Sequence, residues 1–176
     1  MAEHDTIEKV KSQQGILDKI QNFFLRGFAT KEDLRELDKK MRDTQYQTLN
    51  DLRHTWAEIY LNILDANVRV SKRDLKRVLQ KLDRVMAKIR RADYGYAGLW
   101  NRKGQINENE LERVFNFDKT ITDDIAIIES AIQKINQIVE EENWTEVSKD
   151  IKHIKKLIYE LEDKWNEREN LFRPLM

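Results

Sequence analysis

The sequence predicts an all-α protein: an elongated helical bundle of five or six helices, with one long helix and a C-terminal antiparallel, coiled-coil-like αα-hairpin. Three observations point there. The only proline among 176 residues is Pro174, so no helix is interrupted from within. Apolar residues recur at steps of three and four along most of the chain, the period of one helix face, while strand-like alternation is hard to find. Composition agrees, because 40% hydrophobic with 36% charged is too apolar for simple disorder and suits long amphipathic helices. A single domain over residues 1–176 is expected.

The elements follow in order. Ile7, Val10, Leu17, Ile20, Phe23 and Phe24 share a face and Gly27 can close the helix in a left-handed cap, giving an N-terminal helix over 5–26. Thr30 can cap the next one, with Glu32 and Asp33 over its positive end. Leu34, Leu37, Met41, Leu49, Leu52, Trp56, Ile59 and Ile63 carry that helix on, although Thr44, Gln45 and Thr48 weaken the stripe midway. Ser71-Lys72-Arg73-Asp74-Leu75 repeats the start signal, so residues 30–92 form one long or kinked helix, or a long helix over about 30–70 followed by a new one, the last part striped by Leu75, Val78, Leu79, Leu82, Val85, Met86 and Ile89. Residues 93–106 hold three of the five glycines and read as a loop. Asn107 with Glu110 has capping-box form and opens a short helix over 107–117. Over 121–171, Ile121, Ile125, Ile128, Ile132, Ile135 and Val139, then Val147, Ile151, Ile154, Ile158, Leu161 and Trp165, repeat 4-3-4-3-4 on either side of a short link, which requires an antiparallel hairpin.

Charge is distributed unevenly along the chain. The formal net charge is zero, yet residues 69–103 carry 12 basic and 3 acidic side chains while residues 104–142 carry 3 and 10. At 100° per residue, Lys72, Arg73, Lys76, Arg77, Lys81, Arg84, Lys88, Arg90 and Arg91 spread over the face opposite the apolar stripe. The loop that follows adds Tyr94, Tyr96, Trp100, Arg102 and Lys103, a basic and aromatic mixture able to grip phosphates and stack on bases. These fourteen residues are the candidate polyanion-binding set. The simplest alternative is intramolecular, the basic block pairing with the acidic block that follows it. Binding to an anionic membrane surface is a weaker option, since the narrow apolar stripe would have to leave the core.

Three further sets of residues bear on chemistry. The run from Val114 to Asp123, with Asp118-Lys119-Thr120 at its centre, resembles the phosphorylated-aspartate motif of the haloacid dehalogenase and P-type ATPase group. The resemblance implies Asp118 as a nucleophile, but that motif ends a strand of a doubly wound sheet, and a helical chain offers no such scaffold. Asp118 is therefore expected at a helix boundary, with Thr120 or Thr122 capping the next helix. Leu99 to Leu111 resembles the second half of an EF-hand loop, with Gly104 at the turn and Glu110 in the bidentate position. Leu99 and Lys103 occupy ligand positions where calcium needs oxygen, so no calcium site is expected. His4, His54 and His153 share no helical turn, and no Glu-x-x-His motif occurs.

No nucleophile with a positioned base, phosphate-cradling loop or paired metal motif survives, so neither an enzyme nor a cofactor is expected. Absent cysteine excludes disulfides and thiolate metal sites, which makes a reducing cytoplasm the expected location. Neither a spanning helix nor a signal peptide is expected, because charges fall in every turn. The leading expectation is a helical interaction or scaffold protein acting through helix faces and self-association, the weak stripe of the long helix leaving room for a homodimer. The alternative is a nucleic-acid-associated accessory protein using the basic helix 69–91 and loop 94–103.

Overall fold

The computed structural model describes residues 31–92, 108–145 and 147–172. The expected N-terminal helix 5–26 and the loop 93–106 lie outside the described residues. Those described form helices α1 (Lys31–Asp65), α2 (Lys72–Arg91), α3 (Glu108–Glu140) and α4 (Val147–Phe172). The described residues thus hold four helices rather than the five or six expected for the whole chain.

The largest correction concerns residues 107–121, where the sequence suggested a short helix, a break and a new start. Instead α3 runs unbroken from Glu108 past Ile121. The hydroxyls expected to cap a new helix turn back into the existing one, Thr120 Oγ1 donating to the Phe117 carbonyl at 2.7 Å and Thr122 Oγ1 to the Asp118 carbonyl at 3.0 Å. With no glycine or proline there, back-bonded threonines leave the helix ladder intact.

A second ambiguity, whether residues 30–92 form one helix or two, resolves as two antiparallel helices. Asn67 takes φ 52° at the end of α1. The Val68 N–H donates to the Ile63 carbonyl at 3.4 Å and the Asn67 N–H to Leu64 at 3.1 Å, the paired closure of a Schellman motif. Ser71 then caps α2 as the sequence predicts, its Oγ accepting from the Asp74 N–H at 3.2 Å. The end of α3 repeats this closure, with Glu142 at φ 54° and the Asn143 N–H donating to the Ile138 carbonyl at 3.0 Å.

The two hairpins pack side by side. α1 neighbours α2 and α3, and α4 neighbours α2 and α3, so α1 faces α4 and α2 faces α3 across diagonals. Contacts between Asp74 and Lys155 and between Lys81 and Glu162 show that α2 and α4 run parallel. The pairs Lys164 with Asp124 and Lys134 with Asp150 show α3 and α4 antiparallel. Both short turns therefore close the same end of a bundle about 50 Å long, from 35 residues in α1 and 33 in α3.

The predicted hairpin seam is buried throughout, Ile121 to Val139 on α3 and Val147 to Trp165 on α4. Against it pack Leu49, Leu52, Trp56, Ile59 and Ile63 of α1 with Leu75, Val78, Leu82, Val85, Met86 and Ile89 of α2. Trp56 is fully buried and satisfies its one polar atom, Nε1 donating to the Leu75 carbonyl at 3.1 Å. Among the described residues, no helix is long and apolar enough to cross a membrane.

Candidate functional site

α2 divides its cations between two jobs. Lys81 and Lys88 are half-buried at the seam with α4, and both ion-pair with the Glu162 carboxylate, Lys88 at 3.2 Å. Lys88 also donates to Asn166, and the Lys81 ammonium stands 4.1 Å from the centre of the Tyr159 ring. On the side facing α1, Arg90 is exposed with its guanidinium 6.0 Å from the Tyr46 ring, and Asp83 accepts from Arg53 at 2.5 Å. Lys72, Arg73, Lys76, Arg77, Arg84 and Arg91 are exposed and make no ion pair with another described residue. Tyr94, Tyr96, Trp100, Arg102 and Lys103 lie outside the described residues, so the aromatic half of the predicted set is not placed.

These positions bear on the expectation that the basic block pairs with the acidic block after it. The described ion pairs reaching α2 come from α1 and α4: Arg53 with Asp83, Lys155 with Asp74, and Lys81 and Lys88 with Glu162. The acids of α3 meet α4 instead, Asp118 through Arg168 and Asp124 through Lys164. The fold explains this division, because α2 and α3 are diagonal and α4 stands between them, offering Lys155 and Glu162 to α2 and Asp150, Lys164 and Arg168 to α3. The α2 carboxylate and its α4 counterpart are both held ionised. A hydrogen bond from Lys155 keeps Asp74 below the usual carboxylate range against the opposing effect of burial. Burial pushes Glu162 up, but hydrogen bonds and charge from Lys81 and Lys88 outweigh it, and its carboxyl ends below the usual range.

A second polar assembly, not expected from the sequence, lies inside the bundle at the end away from the short turns. Asp38, Arg42, Gln45, Asp118, Thr122 and Arg168 are all buried. Arg168 spans the core from α4, donating through Nε and Nη2 to the two oxygens of Asp118 on α3, the latter at 2.7 Å, and through Nη2 to Asp38 on α1 at 3.0 Å. Arg42 holds the other Asp38 oxygen at 3.0 Å. Gln45 donates to Thr122 Oγ1 at 3.0 Å, tying α1 to α3. Burial, with the neighbouring Asp38 carboxylate, pushes the Asp118 carboxyl well up, and the Arg42 guanidinium pulls against that. Two carboxylates and two guanidiniums alternate, so the ionised layer is neutral, as a buried charge cluster must be. The signal was present in the sequence: Asp118 lies three residues before Ile121 and Arg168 three after Trp165, in phase with the heptad seam.

Asp118 is therefore a helix-interior, fully buried residue forked by an arginine, and not the boundary residue that the sequence suggested. His54 and His153 are exposed, and among the described residues no group of three or more His, Asp and Glu is placed to hold a metal ion. No protein-family model, curated protein or solved structure matches the chain.

Proposed function

We propose that the chain is a non-enzymatic helical interaction protein whose working surface is the outer face of α2, and that its partner is nucleic acid. One observation carries this: Arg73, Lys76, Arg77, Arg84 and Arg91 are exposed on the outer side of α2 and, among the described residues, make no ion pair. Spacing helps, since Arg77, Arg84 and Arg91 repeat every seven residues and so line one edge of the helix at intervals of about 10 Å. Four of the five are arginines, whose planar fork suits phosphate oxygens better than an ammonium does.

Self-association, the leading expectation from sequence, loses its main argument. The polar residues that weaken the α1 stripe, Gln45 and Thr48, are buried within the chain, Gln45 against Thr122, and so need no second copy to cover them.

The test is an electrophoretic shift of duplex DNA and of single-stranded RNA at low and moderate salt. Binding is expected to weaken steeply with salt, and the R77E/R84E/R91E variant is expected to lose it. Unaltered mobility of both nucleic acids at low salt overturns the reading, as does tighter association with anionic lipid vesicles than with either.

A further inference from the structure

α2 and α4 are 55 residues apart in sequence from the end of one to the start of the other, yet they lie side by side and parallel. Their register is fixed by Lys155 on Asp74 at 2.9 Å and by Glu162 between Lys81 and Lys88. At that register the turns around Asp74 and Lys155 are level. Arg73 and Arg77 flank Asp74 on α2, and Lys152 and Lys156 flank Lys155 on α4; all four are exposed. Counting 100° per residue from the core stripe turns Lys152 outward on the side of α4 nearest α2 and Arg77 outward on the side of α2 nearest α4, with Lys156 and Arg73 pointing almost straight out beside them. Within each pair the residues are one turn apart, about 6 Å along the axis. Two exposed cationic pairs thus border one seam near the short turns.

The surroundings define the extent of this patch. Farther along α4 the outward positions become Glu160, Asp163 and Glu167, all exposed, so the basic character of α4 ends there while that of α2 continues through Arg84 and Arg91. Lys156 meets Glu160 at 3.5 Å, but both side chains are largely exposed and such a pair contributes little. It does not withdraw Lys156 from an incoming phosphate.

We infer that nucleic-acid phosphates are held across the α2–α4 seam, by Arg73 and Arg77 from one helix and Lys152 and Lys156 from the other. This rests on the reading of α2 given above and adds a second helix to it. A backbone laid along the seam is contacted from two sides near the short turns and from α2 alone beyond them. The contacts are to phosphate, so binding is indifferent to base sequence.

Fluorescence anisotropy of the full chain with a labelled mixed-sequence 20-bp DNA duplex, and separately with a labelled 20-nucleotide RNA, tests this. K152E/K156E on α4 is expected to weaken binding at least tenfold and to flatten the dependence of log affinity on log salt by about two units for the duplex. K152R/K156R is expected to bind like the unaltered chain, and so is K119E on α3, which changes an exposed lysine away from the seam. If R84E/R91E loses binding while K152E/K156E keeps it, the seam proposal fails and the α2 reading stands. If the unaltered chain binds neither probe, or if R84E/R91E binds like it, the α2 reading fails and the seam with it. The probe bound more tightly identifies DNA or RNA as the source of the phosphates.

Discussion

Toward the short turns, the helices meet through Trp56, Ile59, Ile63, Leu75, Ile135, Val139, Val147 and Ile151, whereas at the other end the same seams carry Asp38, Gln45, Asp118 and Arg168. Both sets are buried, and both continue one heptad phase. The apolar set supplies transfer free energy, roughly 25 cal/mol per Å² of apolar surface removed from water, but says little about register, since aliphatic side chains are interchangeable neighbours. Arg168 has no such freedom. It must find two particular carboxylates on two other helices, and sliding α4 by one heptad, about 10 Å, would separate Arg168 from both Asp118 and Asp38 inside the core.

The largest effect that can break this contrast is at Arg168. R168M leaves Asp118 and Asp38 buried without their shared guanidinium, and urea denaturation is expected to register a loss of about 3–5 kcal/mol. Replacing the whole set, D38L/R42M/D118L/R168M, removes the charges together and is expected to recover most of that loss, because an apolar layer of similar volume needs no partners. A quadruple variant no more stable than R168M would show that the layer contributes through something other than charge pairing.

Next in size comes Glu162, which joins α2 to α4 between the two regions. Its folded carboxyl lies below the ordinary 4.5, so the native state binds its proton more weakly than the unfolded chain does. The stability it contributes is complete above that ordinary value and is lost as pH falls through the folded one. Asp74, lowered from 3.8, acts in the same sense at slightly lower pH. Asp118 acts oppositely: burial raises its folded carboxyl, so that contribution is complete below the ordinary 3.8 and is lost as pH rises through the raised folded value. E162Q is expected to be less stable than the unaltered chain at pH 7 by about 1.5–3 kcal/mol, the range for hydrogen bonds to charged groups, and to lose less on acidification. Equal losses from pH 7 to pH 3 in both proteins would remove Glu162 from the acid response.

The two tryptophans sharpen the comparison at smaller scale. Trp56, in the apolar region, donates Nε1 to the Leu75 carbonyl, whereas Trp165, against the polar layer, has a buried Nε1 with no partner among the described residues. The Trp165 ring instead lies 4.7 Å from the Arg168 guanidinium. Trp-to-Phe removes the same atoms from each site, so W56F is expected to cost about 1 kcal/mol more than W165F, the worth of one hydrogen bond. Equal losses in thermal or urea unfolding would mean that the Leu75 contact contributes nothing net.

What could be read from the sequence follows the same division. The apolar seam of α3 and α4 was legible residue by residue, because isoleucines at heptad spacing have no other economical use, and Ser71 was legible as a cap. Asp38, Asp118 and Arg168 were not, since a charged residue in a seam position looks like a helix end or an interruption until its partners are known to lie 130 and 50 residues away. The basic face of α2 was visible by helical phase, but Lys152 and Lys156 could join it only once α4 was known to run parallel beside α2. The ends of α1 and α3 were obscured for another reason: each closes with a left-handed residue other than glycine.

Those two closures give the smallest and most local test. Asn67 and Glu142 hold the same place in matching Schellman motifs, at φ 52° and 54°. Asparagine enters the left-handed region readily, but for glutamate the contact between Cβ and the following carbonyl costs about 1–2 kcal/mol. Glu142 also follows Glu140 and Glu141 at the negative end of the α3 dipole, where a third acid is repelled. Glycine removes both penalties, although the freer unfolded chain takes back part of the gain. E142G is therefore expected to stabilise the protein by about 0.5–1 kcal/mol and N67G by less, read as a rise in urea midpoint without a change in slope. A neutral or destabilising E142G would mean that the glutamate side chain holds a contact at the turn outweighing its backbone strain, and the apolar end of the bundle would then depend on a polar interaction as the other end does.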